Sequence, residues 1–390
     1  MIDKYERLSD SPRACVPPGF DEDGFHELLQ GFSLPSFIQC YEIVNRRCLQ
    51  LCLKVAEKYG LFRGHPPVET METLEQKIGL APQARYLIER MMRLLVEEQC
   101  LSQVDSAWVA IRPFPSPTAV SIETDSLPEI AQDPIFEFFR RCEENLFGFL
   151  EGKRIGAAVV FPKGDLSFWL DLNNHSIFFA PYARQAAFIV SSCLKPGTRL
   201  LEVGAGTGAA TAQLLARLPP EAISQYLYTD ISTVFLRQGR QRFGQHPFID
   251  FKTYNLNISP RGQGLEEGSF DIIYGVNALH VARHIPTALA FLRALLKPNG
   301  RLVIGEGSPP NEHRMWRLDL LFGFLDGWWN VETDAQLRTQ PGWLLPSRWQ
   351  ALFSAAGFTH VCALPGEKYF AGQCYGGVVI GKAPVDDEPG

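Results

Sequence analysis

The most constraining feature of this sequence is an apolar run that ends in three closely spaced glycines. Residues 200–208 read Leu-Leu-Glu-Val-Gly-Ala-Gly-Thr-Gly, and a helix-forming stretch, 209–218, follows directly. Glycine allows positive φ angles and lets the backbone approach a ligand without a Cβ atom in the way. The order therefore predicts a strand, a tight turn and a helix, which together form one unit of an α/β sheet.

The spacing of these glycines distinguishes two kinds of ligand. Gly204, Gly206 and Gly208 follow the pattern G-x-G-x-G, whereas a dinucleotide-binding turn has G-x-G-x-x-G and places a pyrophosphate at the helix N-terminus. Glu202 stands just before the glycines, and we expect its carboxylate to point into the turn. Because a carboxylate repels phosphate and attracts a cation, the turn favours a cationic ligand.

A second acid ends the next predicted strand. Asp230 closes the run Tyr-Leu-Tyr-Thr-Asp, about 20 residues after the glycine turn, where an acid can accept hydrogen bonds from both hydroxyls of an adenosine ribose. The alternative is that Asp230 caps the helix that starts near Ser232. We favour ribose binding, because both the position and the residue type agree with it.

Composition and charge exclude several classes of function. Of the 390 residues, 46% are hydrophobic and 21% are charged, which is typical of a globular protein with a large core. A net charge of −6 does not suit non-specific nucleic-acid binding. We therefore expect a small substrate, or one that another protein presents. No apolar run reaches the ~18 residues of a membrane span.

The cysteines and the N-terminus indicate a cytoplasmic protein. The nine cysteines are scattered and lack the spacing of a zinc site, so we interpret them as reduced thiols and expect no metal site. The first residues are too polar for a signal peptide.

Residues 1–150 are expected to form a mainly helical lid or substrate domain. Apolar residues recur at helical spacing in 37–60 and 83–100, and residues 101–110 could form a short hairpin. This order resembles a winged-helix outline, but the segment has no basic recognition helix, and we favour a lid. A linker, 151–177, is expected to follow.

From Phe178 onward the pattern becomes an alternation of strands and helices, and we assign 178–384 to the main domain. Helices separate the first five strands, which predicts a parallel, doubly wound sheet with right-handed connections. Only a loop separates the last two strands, so these should pair antiparallel. The predicted strands are 199–204, 225–230, 250–255, 270–276, 301–306, 360–364 and 376–381.

The long connection 307–348 is expected to be an inserted cap on the substrate side of the sheet. It contains four tryptophans that could line an acyl-chain site, namely Trp316, Trp328, Trp329 and Trp343. Ordinary packing is the alternative, and we favour packing for at least two of them.

Four further segments carry a family resemblance. They are 268–273 (Gly-Ser-Phe-Asp-Ile-Ile), 277–280 (Asn-Ala-Leu-His), 295–302 (Leu-Leu-Lys-Pro-Asn-Gly-Arg-Leu) and 305–306 (Gly-Glu). Together with the glycine turn, they resemble S-adenosylmethionine-dependent methyltransferases. More narrowly, they are similar to the methyltransferase domains embedded in, or serving, modular polyketide synthases. The resemblance covers about residues 178–382.

The resemblance implies a Rossmann-like, seven-stranded methyltransferase sheet, mostly parallel with an antiparallel edge strand, and S-adenosylmethionine as the cofactor. It also implies a catalytic pair, in which His280 after strand four is the general base and Glu306 after strand five orients it. Histidine titrates near neutral pH, and a carboxylate on its other nitrogen selects the tautomer. His284 and His313 are the second and third candidates for the base, and His280 could instead be a packed histidine at a strand end.

The predicted cofactor site extends along the carboxyl ends of the strands. Asn257 stands where the family usually has an acid that accepts the adenine amino proton, and its amide oxygen can still accept. A surface-loop position is the alternative for this residue. The predicted cofactor-binding residues are Glu202, Gly204, Gly206, Gly208, Asp230, Asn257, Asn277 and Tyr182.

The resemblance implies methyl transfer to a polyketide-type acyl intermediate, carried as a thioester on an acyl carrier protein. We lean slightly to O-methylation of a β-hydroxyl or enol. C-methylation of the α-carbon of a β-ketoacyl thioester is the alternative. A hypothesis of a different class is a non-catalytic module that binds the cofactor or docks a partner. A dinucleotide oxidoreductase fits less well, because of the glycine spacing and Glu202.

Overall fold

The chain divides into two units that each have their own packing. A computed structural model describes residues 15–30, 35–120, 128–218, 221–311, 315–365 and 376–385. The described residues within 1–33, 169–312 and 331–390 form the sheet unit, and those within 34–168 and 313–330 form the helical unit.

Helices and strands alternate along most of the described chain. The helices are α1 (Glu22–Gln30), α2 (Pro35–Lys58), α3 (Met71–Ile78), α4 (Arg85–Glu97), α5 (Pro128–Ala131), α6 (Ile135–Leu150), α7 (Gly156–Val160), α8 (Ser167–His175), α9 (Ala180–Cys193), α10 (Ala209–Leu215), α11 (Thr233–Phe243), α12 (Ile285–Leu295), α13 (Asp319–Phe322), α14 (Asp326–Trp329) and α15 (Pro346–Ala355). The strands are β1 (Val68–Thr70), β2 (Leu101–Val104), β3 (Ala107–Ala110), β4 (Thr198–Glu202), β5 (Ile223–Asp230), β6 (Ile249–Thr253), β7 (Phe270–Val276), β8 (Leu296–Gly307), β9 (Thr359–Leu364) and β10 (Gly376–Lys382).

The helical unit combines amphipathic helices with a small antiparallel sheet. Helix α4 buries one apolar face, as the three-to-four-residue spacing predicts; its buried apolar residues are Leu87, Ile88, Met91, Met92, Leu94 and Leu95. Strands β2 and β3 form the hairpin expected at 101–110, and β1 pairs with β3 on its other side. The segment 151–177, which we expected to be a linker, contains helices α7 and α8. Apolar side chains of these helices, such as Val160 and Leu172, are buried.

The described residues 315–330 belong to the helical unit. Arg317 donates hydrogen bonds to the carboxylates of Glu97 and Glu98, each at 2.7 Å. From the sequence we expected this stretch to be part of one cap, 307–348, on the sheet domain. The structure divides that connection between the two units, because its buried cation finds both carboxylate partners in the helical unit.

The sheet unit contains the seven-stranded, mostly parallel sheet that the sequence predicts. Its strand order is β6-β5-β4-β7-β8-β10-β9. Neighbours among β4 to β8 pair parallel, and β10 pairs antiparallel with both β8 and β9. The antiparallel strand, β10, is therefore the second strand from the edge of the sheet, and β9 is the outermost strand on that side.

Two apolar clusters cover the two faces of this sheet. Because side chains alternate along a strand, Leu200 and Ile272 belong to one cluster, whereas Leu201 and Ile273 belong to the other. The first cluster includes residues of α1, α9 and α10, and the second includes residues of α12 and α15. Helices thus cover both faces, and the carboxyl edge of the strands carries the loops.

The strand order reverses beside β4. The chain runs from β4 outward to β5 and β6 on one side, and then returns to β7 and β8 on the other. In open α/β sheets, ligands bind at the carboxyl ends of the strands where the order reverses. The ends of β4, β5, β7 and β8 are therefore the place to examine for a site.

Candidate functional site

The glycine turn joins β4 to α10 and uses positive φ angles, which glycine adopts without strain. The φ angle is 62° at Gly204, 55° at Gly206 and 75° at Gly208. A Cβ atom on Gly204 would lie 2.6 Å from the Cβ of Ala278, and one on Gly208 would lie 2.4 Å from the ring of Phe243. A Cβ atom on Gly206 would meet only a carbonyl oxygen, at 3.8 Å. The turn is therefore tightly packed at both ends and open beside its middle glycine.

Strand β4 directs the carboxylate of Glu202 into the packed layer between the sheet and α10. The residue is 1% exposed, and its Oε2 accepts hydrogen bonds from Thr211 Oγ1 and the Tyr226 hydroxyl, each at 2.5 Å. The Tyr226 hydroxyl also bonds to that of Tyr274. Our expectation that this carboxylate points into the turn is wrong, because strand alternation places Glu202 on the face of Leu200, where hydroxyl donors are available.

Burial raises the pKa of Glu202 to about 7, although the hydroxyl donors oppose the rise. The folded state therefore holds this proton more tightly than the unfolded chain does. The resulting stabilisation is complete below pH 4.5, the ordinary pKa of the group, and is lost as the pH rises through about 7. We expect this group alone to lower the free energy of unfolding by about 3 kcal/mol across that range.

The variant Glu202→Gln tests this expectation, because its side chain stays uncharged at every pH. Denaturant unfolding at several pH values between 4.5 and 8 should show a smaller decrease in stability for the variant than for the wild type. Glu266→Gln is the matched control, since Glu266 is exposed and its substitution should keep the wild-type slope. Equal slopes in Glu202→Gln and the wild type would contradict the prediction.

Asp230 connects the glycine turn to the start of α11. Its Oδ2 accepts a hydrogen bond from the Gly206 N–H at 2.9 Å, and its Oδ1 accepts one from the Ser232 N–H at 2.7 Å. Burial raises the pKa of Asp230, and the backbone hydrogen bonds oppose that rise. Ser232 is itself the N-cap residue of α11, and no side chain caps this helix, so the bond from Ser232 is not the helix cap that the alternative expected. The backbone N–H of Ile231 is a third hydrogen-bond partner of this carboxylate, and ribose binding by Asp230 remains a prediction.

The two predicted asparagines use their side-chain oxygens for backbone groups. Asn277 has a left-handed φ of 48°; its N–H donates to the Gly305 carbonyl at 2.8 Å, and its Oδ1 accepts from the Gly307 N–H at 3.1 Å. It thereby joins the ends of β7 and β8. Asn257 is exposed, and its Oδ1 accepts from the Arg283 N–H at 2.7 Å. The adenine contact of Asn257 remains a prediction.

Tyr182 lies on α9 beside the ends of β8 and β10. The residue is fully buried. A Cβ atom on Gly376, at the start of β10, would lie 2.3 Å from the ring of Tyr182 and 2.5 Å from the carbonyl oxygen of Glu306. Tyr182 therefore lies at the same edge of the sheet as the predicted catalytic glutamate, and its contact with the cofactor remains a prediction.

His280 and Glu306 are in direct contact, as the resemblance implies. Nδ1 of His280 lies 2.6 Å from Oε2 of Glu306, and the two side chains are 3% and 2% exposed. The other carboxylate oxygen, Oε1, accepts hydrogen bonds from the N–H groups of Ala278 at 3.2 Å and Leu279 at 2.9 Å. The carboxylate thus binds both the imidazole ring and the short 3₁₀ turn, Leu279–Val281, that carries it.

The structure describes only one of the two other candidates for the base, His284 and His313. His284 caps helix α12: its Nδ1 accepts from the Thr287 N–H at 3.3 Å and lies 2.7 Å from the Thr287 hydroxyl. His284 thus has a local capping contact and His280 has a carboxylate partner, and the choice of His280 as the base remains a prediction. His313 lies outside the described residues.

Two further residues contact His280: Trp343, one of the tryptophans that our sequence analysis named as a possible lining of an acyl-chain site, and Arg338, which it did not assign to the site. The rings of Trp343 and His280 are tilted by 37°, with their centroids 5.6 Å apart. The guanidinium of Arg338 donates hydrogen bonds to the carbonyl oxygens of His280 and Ala282. Both residues follow β8 in irregular structure, and Arg338 belongs to no periodic pattern that could have identified it.

Two general findings concern the described residues as a whole. Within them, no group of three or more His, Cys, Asp or Glu side chains is placed to hold a metal ion. In the same residues, no helix has both the length and the apolar character that a membrane span requires.

Comparison with known proteins identifies the central part of the sheet unit. Residues 201–302 match a family model described as a methyltransferase domain. The highly reducing polyketide synthase gloL of Glarea lozoyensis is 32% identical over 226 residues, which are 57% of this chain and 8% of the synthase. The methyltransferase calH of Penicillium decumbens is 31% identical over 229 residues, 58% of this chain and 60% of that protein. The chain therefore spans only part of each of these relatives.

Solved structures that match almost the whole of the chain include a carbon methyltransferase. The CurJ carbon methyltransferase has a TM-score of 0.79 and 26% identity, and the match covers 97% of this chain and 100% of that one. Because the match covers 97% of this chain, it includes residues of both the helical unit and the sheet unit.

Proposed function

We propose that this chain, an S-adenosylmethionine-dependent methyltransferase similar to the methyltransferase domains of polyketide synthases, methylates the α-carbon of a β-ketoacyl thioester. His280 is the general base, and Glu306 orients it. The observation that carries this proposal is the buried contact of 2.6 Å between Nδ1 of His280 and the Glu306 carboxylate. The thioester is carried by an acyl carrier protein, as the similarity to polyketide synthases suggests.

The pair has the geometry of a general base and its orienting partner. With the carboxylate on Nδ1, that nitrogen carries the proton and Nε2 is the basic nitrogen. When Nε2 takes a proton, the adjacent carboxylate stabilises the imidazolium that forms. The two backbone N–H groups on Oε1 of Glu306 hold the carboxylate in position. The pair can therefore accept one proton without moving.

The residues of the glycine turn and β5 fit S-adenosylmethionine. The open space beside Gly206 admits a ligand close to the backbone, and the Asp230 carboxylate, bonded to the Gly206 N–H, stands beside this space as an acceptor for a ribose hydroxyl. Bound there, the donor supplies a methyl group on a positively charged sulfur and leaves as S-adenosylhomocysteine. Ala278 packs against Gly204 and stands two residues before His280, so the turn adjoins the catalytic pair.

Carbon rather than oxygen is the favoured acceptor. Our sequence analysis leaned slightly to oxygen, but the CurJ structure, which matches both units, is described as a carbon methyltransferase. The α-carbon of a β-ketoacyl thioester lies between two carbonyl groups and is acidic enough to lose a proton to a histidine. In the reaction this carbon gives one proton to Nε2 of His280 and gains one methyl group, and the proton then passes to solvent.

The direct test supplies the full chain with methyl-deuterated S-adenosylmethionine and the pantetheine thioester of 3-oxobutanoate. Mass spectrometry should detect a labelled methyl group at the α-carbon. The matched control, the thioester of 2,2-dimethyl-3-oxobutanoate, has no α-hydrogen and should remain unchanged. The 3-hydroxybutanoate thioester tests for O-methylation. A labelled methoxy product would overturn carbon as the acceptor, and donor binding without any transfer would favour the non-catalytic module.

A further inference from the structure

A buried arginine approaches the catalytic pair from the segment between β8 and α15. Arg338 is 2% exposed, although it lies in a segment without helix or strand whose neighbours Gln336 and Thr339 are exposed. A buried cation is costly unless several hydrogen bonds compensate for its lost hydration. The buried guanidinium therefore requires hydrogen-bond acceptors that a positive charge stabilises.

A local turn directs this arginine inward. The carboxylate of Asp334 accepts hydrogen bonds from the N–H groups of Gln336, Leu337 and Arg338 at 2.7, 2.6 and 3.0 Å. The Asp334 N–H in turn donates to the Arg338 carbonyl at 2.8 Å. These bonds lower the pKa of Asp334, so the carboxylate stays ionised and the turn stays closed at neutral pH.

The guanidinium of Arg338 binds the turn that carries His280. Its Nη1 donates to the carbonyl oxygen of Ala282 at 2.6 Å, and its Nη2 donates to the carbonyl oxygen of His280. Carbonyl groups at the end of a helical turn have no partner within that turn. The arginine thus supplies donors to acceptors that would otherwise be buried and unsatisfied.

The turn is therefore held at its two ends by opposite charges. At its start, the Glu306 carboxylate accepts from the N–H groups of Ala278 and Leu279. At its end, the Arg338 guanidinium donates to carbonyl groups. An anion at the N–H end and a cation at the carbonyl end both match the direction of the peptide dipoles. This arrangement restrains the backbone of His280 on both sides of the imidazole.

From this arrangement we infer that Arg338 is a positioning residue, which holds the backbone of His280 so that the imidazole keeps its Nδ1 contact with Glu306. The inference rests on the proposed role of His280 as the base. It assigns a function in methyl transfer to a residue outside the glycine turn and outside the catalytic pair. Trp343, from the same segment, packs against the His280 ring and limits its rotation.

The experiment compares Arg338→Met, which keeps the length of the side chain and removes its charge, with Arg338→Lys, which keeps the charge but loses the two-pronged donor. We expect kcat to fall about 10-fold to 100-fold in Arg338→Met, because small misplacements of a catalytic group have effects of that size. The affinity for S-adenosylhomocysteine should stay within about twofold of the wild type, and Arg338→Lys should recover part of the activity.

A second readout does not depend on methyl transfer. In protein labelled with ¹⁵N-histidine, the ring nitrogens of His280, identified by their absence in His280→Gln, report which nitrogen carries the proton. The wild type should show a single Nδ1–H form, and Arg338→Met should show a mixture of tautomers or a broadened signal. Arg240→Met is the matched control: Arg240 is exposed and bonds to the Phe251 carbonyl at 3.2 Å, and its loss should change neither readout.

The two readouts separate failure of this inference from failure of the proposed function. If Arg338→Met keeps the wild-type kcat and His280 spectrum, Arg338 is not a positioning residue, even if its melting temperature falls. If the wild type methylates no acyl thioester but the His280 spectrum still depends on Arg338, the proposed function fails and the positional inference stands. Should Arg338→Met fail to fold, Arg338→Lys provides the same comparison with the charge retained.

Discussion

His280→Ala is expected to lower kcat by roughly 10²-fold to 10⁴-fold, the range that general base catalysis typically contributes. The substitution removes Nε2 as the proton acceptor and leaves the Glu306 carboxylate without its ring partner. The glycine turn and Asp230 are unchanged, so S-adenosylhomocysteine should still bind with an affinity close to that of the wild type. Turnover of the β-ketoacyl thioester and calorimetry with S-adenosylhomocysteine measure the two quantities separately.

A histidine four residues further along the chain provides a matched control. His284 caps α12 through Thr287, so His284→Ala should cost about 1 kcal/mol of stability, as the loss of a helix cap does. Its kcat should stay within about twofold of the wild type. Near-normal turnover in His280→Ala, or an equal loss in both variants, would remove His280 from the role of base.

The variant Glu306→Gln tests the role of the carboxylate separately from that of the histidine. An amide can place a donor NH₂ towards Nδ1, which favours the opposite tautomer and moves the ring proton to Nε2. We therefore expect a large loss of kcat with the histidine still present. The amide oxygen can continue to accept from the N–H groups of Ala278 and Leu279, so the fold should change little.

Strand assignment succeeded because the inner strands of the parallel sheet are short apolar runs between turns, and such runs are visible locally. All seven predicted strands are present, and the final pair is antiparallel as expected. The place of β10 between β8 and β9 was not predictable in the same way. Both β8 and β9 are apolar, and the choice of partner depends on hydrogen bonds between residues far apart in the chain.

The candidate site was predictable where a strand end determines it. His280 follows β7, Glu306 lies at the carboxyl end of the adjacent parallel strand β8, and the structure brings their side chains into contact. Our prediction of the orientation of Glu202 was wrong, although the alternation of side chains along the strand already placed Glu202 with Leu200 on a covered face. Arg338 could not be found from the sequence, because its position depends on a turn closed by Asp334 and on carbonyl groups about 60 residues earlier.

Asp230→Ala should weaken the binding of S-adenosylhomocysteine by about 10²-fold to 10⁴-fold, since two hydrogen bonds to a charged carboxylate contribute about 1.5–3 kcal/mol each. The same variant also removes the acceptor for the N–H groups of Gly206 and Ser232. A loss of affinity could therefore arise from the ribose contact or from a distorted glycine turn. Affinity alone does not distinguish these two causes.

A double-mutant cycle does distinguish them, because it compares the protein change with a matched change in the ligand. The second ligand is the analogue of S-adenosylhomocysteine that lacks the ribose 2′-hydroxyl. If Asp230 accepts from that hydroxyl, the analogue should bind the wild type at least about tenfold more weakly than the parent ligand. The two ligands should then bind Asp230→Ala with nearly equal affinity. If instead the carboxylate only holds the glycine turn, the hydroxyl will contribute equally in both proteins, and the ribose-binding interpretation of Asp230 will be wrong.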